Sequence, residues 1–377
     1  MTETKIKHIA LVGYGRLGKK FEQILFSKGI KIDVYSDNYL AGTESEGHKI
    51  VTVAHMAELY REKKINTIFV AVLSDVEFTQ VGIQLLKLSV RAEDIYFVPS
   101  WYVNMPDDLV NDIWDDLKSM NSTLPTLNYL DIPVVDWCNL KCKNCWLACN
   151  LVKDGAATPR EVYERDMYQL TKKFGNIESI HFMGGEPFLS NELDIYIKIA
   201  KKCFPRAPLF ITTNGSMIEK QSDEILEVIR ENDVMISISF YPAVRNRMYD
   251  IVKFMENKGL RFWLSPEKKE FFKLFSFDEQ DVVKTREACP NTNCHYLQEG
   301  HLYGCGVPIT MRRLKQIADI KWADEEKGCD IYSNLSGWEM SRILNSPFST
   351  CKHCTADMKA AAWEIAGRNV KIEDYFV

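Results

Sequence analysis

Two absences narrow the field before any motif is read. There is no surplus of positive charge: 47 Lys and Arg against 52 Asp and Glu leave a formal net charge of −5. That balance argues against the broad cationic surface that neutralises nucleic-acid phosphates, so no nucleic-acid partner is expected. Nor is any apolar run long enough to span a bilayer, so no membrane partner is expected. The opening MTETKIKHIALVGYG has one short apolar run that leads straight into a glycine turn, which reads as a strand rather than an export signal. Internal repeats and low-complexity tracts are also missing, which excludes solenoids and disordered scaffolds. The expectation is a cytoplasmic protein, in which the 11 cysteines are metal ligands or free thiols rather than disulfides. At 377 residues, with 46% hydrophobic content, the chain is expected to build two or three units with separate cores.

What is present is a βαβ rhythm, met twice. From Lys5 to about Val103, IALVG, KIDVYSD and NTIFVAV alternate with helical patterns such as RLGKKFEQILFSKG and EFTQVGIQLLKL, the rhythm of a parallel sheet. This predicts an N-terminal Rossmann-like domain over residues 1–105. Pro106, the stretch from Asp107 to about Pro125, and Asn121-Ser122-Thr123 predict a connecting helix and linker over 106–127. A second series begins at YLDIPVVDWC and runs through SIHFMGG, PLFITTNG, VMISISFYP and RFWLSP. Five strands in this stretch fit a partial β/α barrel over 128–280, with its polar motifs at the C-terminal strand ends where barrels place active sites. From about Asp281 the rhythm lapses and Cys289, Cys294, Cys305, Cys329, Cys351 and Cys354 follow, which predicts a small metal-stapled domain over 281–377. The fold class is α/β throughout.

In the first region, Gly13-Tyr14-Gly15-Arg16-Leu17-Gly18 follows a strand and opens a helix, and Asp37 ends the next strand. These are the positions of a dinucleotide fingerprint, in which helix-start amides attract phosphate. The same glycines serve equally well for packing helix on strand alone, and Arg16 reads either as a phosphate contact or as an exposed helix-start residue. The region resembles the nucleotide-binding-like domains attached to bacterial glycan- and sugar-modifying enzymes.

In the second region, Cys138-Asn139-Leu140-Lys141-Cys142-Lys143-Asn144-Cys145 follows the first strand and can wrap three thiolates around one cubane, leaving one iron open. Cys142, Cys145 and Cys149 form an alternative triplet. CxxxCxxC after a first barrel strand, with Met183-Gly184-Gly185-Glu186-Pro187 after the second and Thr212-Thr213-Asn214-Gly215 after the third, resembles the radical S-adenosylmethionine (radical SAM) superfamily over residues 128 to 266. The resemblance implies a (β/α)6 partial barrel and a 4Fe-4S cluster on Cys138, Cys142 and Cys145. It also implies S-adenosylmethionine (AdoMet) bound by Gly184, Gly185, Glu186 and Pro187, with Thr213 and Ser239 near its ribose or carboxylate. The cofactor's reductive cleavage would yield a 5'-deoxyadenosyl radical that abstracts a substrate hydrogen. A reducing donor such as flavodoxin or ferredoxin is implied as partner. Many members carry an aromatic just before the third cysteine; here Asn144 stands there, and Trp146 follows the cysteine as its replacement against adenine.

Cys289, the Gly300 turn, Cys305 and then Cys351-Lys352-His353-Cys354 resemble the Twitch arrangement, which implies a second 4Fe-4S cluster on Cys289, Cys305, Cys351 and Cys354. Cys294 is an alternative first ligand, and four thiolates hold tetrahedral zinc equally well. His353 is expected to be an exposed neighbour, and Cys203 and Cys329 simple buried thiols. Tyr241, Arg261 and Trp263, at or near late strand ends, are expected to line the substrate pocket or to serve as core or rim. No catalytic acid or base is legible. The leading expectation is a radical SAM enzyme acting on a sugar, nucleotide-sugar, aminocyclitol or glycan precursor by oxidation, epimerisation or dehydration. The alternatives are a radical SAM peptide-modifying enzyme, an NAD-dependent dehydrogenase with structural metal, and a noncatalytic zinc-stapled binding protein.

Overall fold

The strand Ile9–Val12 is buried at every position and has a parallel neighbour on each side, Val34–Ser36 and Thr67–Val70. It is therefore the centre of a seven-stranded sheet whose order reverses about it: Glu44–Ser45, His48–Val51, Val34–Ser36, Ile9–Val12, Thr67–Val70, Ile95–Phe97 and Lys118–Ser119. Both edge strands are antiparallel and the five between them parallel, as short apolar runs joined by helices require. The helix Arg16–Ser27 returns over the sheet because Leu17, Phe21, Ile24 and Leu25 recur on one face and are buried. The helix Asp75–Lys87 starts at a capping box, Ser74 with Glu77.

The computed structural model describes residues 8–105, 113–152, 158–366 and 370–377, and the chain divides into two compact units, Met1–Thr126 and Leu127–Val377. Pro106 and Asp107, where the expected linker begins, lie outside the described residues. Its later part is no free connector: Ile113–Asp116 is helical, and Lys118–Ser119 pairs with Ile95–Phe97 as the last strand of the first sheet. Among the described residues no helix is long and apolar enough to cross a membrane.

In the second unit, five strands run parallel in chain order: Leu130–Val135, Ile180–Gly184, Leu209–Thr213, Met235–Ile238 and Phe262–Leu264. Between them lie Arg160–Leu170, Leu193–Cys203, Asp223–Glu231 and Met248–Asn257, whose apolar faces bury Met167, Ile197, Ile229 and Ile251 against the sheet. The expected sixth barrel strand does not follow the fifth. Pro266 comes directly after Ser265 and has no N–H for the ladder; the chain leaves instead as Glu270–Phe275, antiparallel to Cys354–Ala362. The sixth parallel strand is Tyr296–Gln298, on the other side of Leu130–Val135. Residues 281–377 consequently belong to the same compact unit, with Tyr296–Gln298, His301–Tyr303 and Cys329–Asp330 continuing the barrel sheet.

Tyr296–Gln298 turns directly into His301–Tyr303 through a two-residue loop. Glu299 has φ 48° and Gly300 φ 76°, the left-handed pair that a tight hairpin of matching twist needs. The buried carboxylate of Asp166 accepts from Gly300 N at 2.7 Å and from Tyr332 Oη at 2.6 Å, which ties this hairpin to the first barrel helix.

Candidate active site

The C-terminal ends of the barrel strands surround a cavity of about 530 Å³, lined among others by Cys138, Cys142, Cys145, Gly184, Gly185, Thr213 and Ser239. The cysteine loop is shaped by two neighbours. Gly184, at φ 127°, would put a Cβ 2.2 Å from Val135 O, and Gly185 would put one 1.7 Å from Trp137 O. Only glycine fits there. The close approach lets Gly185 N donate to Val135 O at 2.6 Å and Glu186 N to Trp137 O at 3.0 Å, so the second strand's turn holds the backbone leading into Cys138.

Glu186 and Pro187 do not line the cavity. The Glu186 side chain is fully buried and is consumed inside the protein: Thr213 Oγ1 donates to it at 2.6 Å, Asn214 N at 2.8 Å and Phe188 N at 3.3 Å. Burial pushes its carboxyl up to about 7, against three hydrogen bonds that favour the ionised form. Thr213 lines the cavity, but its hydroxyl faces Glu186 and accepts from Gly215 N at 2.9 Å. Ser239 also lines it, with Lys268 Nζ donating to its hydroxyl at 3.3 Å; burial lowers the Lys268 ammonium pKa.

Lys141, Asn144 and Ala148 take positive φ in the cysteine loop. Asn144, at φ 60°, suits this backbone, because asparagine adopts that region more readily than a bulky ring. Among the described residues its Oδ1 is buried without a partner, as is Asn150 Nδ2; both residues line the cavity. Trp146 lines it too. Cys149 also lines the cavity, but its sulfur is engaged: Arg313 Nη1 donates to it at 3.4 Å, and the sulfur lies 3.5 Å from Gly184 O. Burial pushes the Cys138 thiol to about 11 and Cys142 to about 12, whereas a hydrogen bond from Cys149 lowers Cys145 and raises Cys149 in exchange. Thiols held protonated release those protons when they become metal ligands.

Cys289, Cys305, Cys351 and Cys354 line a second, smaller cavity, and Cys294 does not. Leu274, Pro290, Asn291 and Met358 border both cavities. Among the described residues no three His, Cys, Asp or Glu side chains converge closely enough to hold a single metal ion. The donor sets are all thiol, with Cys149 beside Cys138, Cys142 and Cys145 in the larger cavity and four thiols in the smaller, which is the chemistry an iron-sulfur cluster takes. His353 is not exposed, as expected from sequence, but buried in a stack on Trp322 with centroids 3.5 Å apart. Tyr241 lines the large cavity; Arg261 pairs with Asp233 and Trp263 is exposed, so neither reaches it. Cys203 is half-buried and Cys329 buried.

Asn214, inside the third-strand motif, and Arg313 and Trp363, outside any motif, hold the loop. Asn214 Nδ2 reaches Cys138 Sγ at 3.7 Å and Asn139 Oδ1 at 3.1 Å. Arg313, buried, joins Asp136 at 2.7 Å and Leu147 O at 2.7 Å. Trp363 Nε1 donates to Cys142 Sγ at 3.2 Å. Asn214 sits inside a quoted motif and was findable; the other two lie more than 150 residues from their partners in sequence.

In the first unit, Gly13, at φ 92°, would put a Cβ 2.5 Å from Ala71 O, and Gly18 would put one 2.0 Å from Gly13 O, while Gly15 faces open space. Asp37 is buried, and its carboxylate accepts from Tyr14 N at 2.9 Å, Tyr39 N at 2.7 Å and Leu40 N at 3.1 Å. Arg16 reaches Asn104 Oδ1 at 3.4 Å.

The model of the radical SAM superfamily matches residues 132–249. This segment is similar to a radical SAM domain. That family implies a 4Fe-4S cluster and AdoMet, and the thiol-lined cavity fits both. The GTP 3',8-cyclase of Chlorobaculum tepidum is 30% identical over 107 residues, 27% of this chain and 30% of the cyclase. That of Alkaliphilus oremlandii is 25% identical over 165 residues, 41% and 50%. The chain thus spans from about a third to half the length of these relatives. Among solved structures, BtrN in complex with AdoMet and 2-DOIA is similar over 62% of this chain and 94% of BtrN, at 16% identity and a TM-score of 0.35.

Proposed function

We propose that this chain is a radical SAM enzyme that reductively cleaves AdoMet and abstracts hydrogen from a sugar, nucleotide-sugar, aminocyclitol or glycan precursor, leading to oxidation, epimerisation or dehydration. One observation carries the reading: Cys138, Cys142 and Cys145 line the same cavity as Gly184, Gly185, Thr213 and Ser239. When bound, the cluster and AdoMet supply the electron transfer and the radical. The protein's part is placement. Gly184 and Gly185 hold the cysteine loop, Glu186 braces the turn at Thr213 and Asn214 from behind, and Ser239 with Lys268 offers a polar edge for a carboxylate or hydroxyl. Tyr241, Phe271 and Met358 form an apolar wall, with Asn144 and Asn150 also on the lining, a mixture suited to a small polyhydroxylated ligand that stacks on one face and hydrogen-bonds on the other.

Cys289, Cys305, Cys351 and Cys354 are proposed as ligands of a second 4Fe-4S cluster, with Cys289 favoured over Cys294 because it alone of the two lines that cavity. A low-potential donor of the flavodoxin or ferredoxin class is the proposed partner. For the first unit, the contacts of Gly13, Gly18 and Asp37 support a scaffolding role for the glycine turn.

The test is anaerobic reconstitution with iron and sulfide, then incubation with reductant and AdoMet. Methionine and 5'-deoxyadenosine are expected, and Cys138, Cys142 and Cys145 changed together to alanine should abolish them and remove about four irons. Unaltered cleavage by that variant would falsify the first-cluster assignment. Zinc without sulfide in the wild type would sink both cluster assignments. The assay should include GTP among the substrates, since the named relatives are GTP cyclases.

A further inference from the structure

The strand Cys354–Ala362 begins at a proposed ligand of the second centre and, just past its end, meets the first cysteine loop. There Cys142 and Ile365 form an antiparallel bridge, Lys143 N donates to Glu364 O at 2.8 Å, and Ala366 N donates to Lys141 O at 2.7 Å. Within this bridge the indole Nε1–H of Trp363 donates to Cys142 Sγ at 3.2 Å. We propose that Trp363, through this N–H···S hydrogen bond, raises the reduction potential of the cluster carried by Cys138, Cys142 and Cys145. The inference rests on the reading that those three cysteines hold that cluster.

The argument is electrostatic. Reduction adds one electron and therefore negative charge, part of which resides on the ligand sulfurs. A donor aimed at one of them stabilises the reduced form more than the oxidised form. Cys142 is buried, and low local polarity strengthens the bond. Indole is a donor only, so the group has no second role as acceptor. Backbone and ring are each held: the backbone N of Trp363 donates to Lys269 O at 2.8 Å, and the ring stacks on Tyr241 with centroids 6.1 Å apart and planes 17° off parallel. Stacking alone asks only for an aromatic, while the bond to sulfur asks for this one. Trp363 is accordingly a positioning residue that acts through Cys142, and it couples the strand that carries Cys354 to the site of AdoMet cleavage.

The experiment is a redox titration of the full-length, anaerobically reconstituted protein with dithionite as electron source. The paramagnetic signal followed is the one that changes when AdoMet is added, which identifies the AdoMet-binding cluster. Trp363→Phe keeps the ring and removes the donor. The expected result is a one-electron reduction roughly tenfold less favourable, about 59 mV more negative, at unchanged iron content. Trp363→His, which restores an N–H, should recover part of the shift. A Trp363→Phe protein with full iron and the wild-type potential overturns the inference. If Trp363→Phe loses its iron, Trp363→His is compared with Trp363→Leu: the donor-bearing variant must sit at the higher potential, and equal potentials overturn the inference. Absence of any AdoMet-responsive signal in the wild type overturns the cluster assignment itself, a different outcome.

Discussion

Both units place glycines at the ends of parallel strands, yet the two turns end up in opposite chemical states. In the first unit, Gly18 lets the helix touch Gly13 O, and Asp37 spends its carboxylate on three backbone N–H groups. The polar atoms of that turn satisfy one another. In the second unit, Gly184 and Gly185 let the turn touch the cysteine loop, and beside it lies a cavity of about 530 Å³ lined by four cysteines, with Asn144 Oδ1 and Asn150 Nδ2 left without a partner among the described residues. A glycine motif therefore reports close backbone approach and nothing more. Function is read from the polar groups left over after the turn has closed.

The comparison breaks most visibly at Gly185. A Cβ there meets Trp137 O at 1.7 Å and Cys138 N at 2.8 Å, so Gly185→Ala cannot be accommodated without moving the cysteine loop. Displacements of about 1 Å at a reacting centre cost on the order of 100-fold in rate. AdoMet cleavage by Gly185→Ala is expected to fall by that order, measured as 5'-deoxyadenosine per iron. Wild-type cleavage would show that the turn does not set the loop.

Next in size is the second thiol group. Changing Cys351 and Cys354 to alanine should remove about four irons while AdoMet cleavage persists, and turnover of the true substrate should fall much further. Cys294→Ala, outside that cavity, should leave the iron count unchanged. Equal iron loss from Cys294→Ala would move the ligand set. The folded variants must keep the first cluster's spectrum for the comparison to hold.

How much of this could be read from sequence follows from how local each determinant is. The five barrel strands and their helices were legible because alternation and amphipathic spacing repeat within short windows. The three-cysteine loop and the turns at Gly184-Gly185-Glu186-Pro187 and Thr212-Thr213-Asn214-Gly215 were legible because each is a short run of fixed residue types that resembles a family motif. Tyr296–Gln298 beside Leu130–Val135 was not, because a pairing between strands so far apart leaves no local period. Cys354–Ala362 has the sequence CTADMKAAA, rich in alanine and mostly solvent-facing, so neither propensity nor alternation marks it as a strand. Trp363 belongs to the site only through a contact across 221 residues. In the first unit the glycines and Asp37 were placed correctly in chain order, but whether Asp37 pointed at a ligand or at its own backbone is a matter of hydrogen bonds that no spacing encodes.

A smaller effect separates Gly18 from Gly15 in the first unit. Gly18→Ala would drive a Cβ to 2.0 Å from Gly13 O, while Gly15→Ala meets nothing within 4 Å. Overpacking of this kind costs roughly 1–3 kcal/mol, and an unobstructed surface change stays within about 0.5 kcal/mol. Denaturant unfolding of the two variants should reproduce that gap, with AdoMet cleavage the same in both. A Gly18→Ala protein as stable as the wild type would remove the packing explanation for the motif.

The finest test is Asp37→Asn, which keeps the shape and changes one oxygen into an NH2. Asp37 Oδ2 accepts from Tyr14 N, and Oδ1 accepts from Tyr39 N and Leu40 N, so either orientation of the amide sets an N–H donor against another donor. A buried donor left without its acceptor costs about 1–3 kcal/mol. The first unit should therefore unfold at lower denaturant, by no more than that amount, and AdoMet cleavage should stay at the wild-type level. If Asp37 instead served a nucleotide's ribose, the signature would be the reverse: unchanged stability, and weaker binding of NAD or a nucleotide-sugar by calorimetry. That second pattern would make the glycine turn of the first unit an open site like its counterpart, and the contrast between the two turns would fail at this residue.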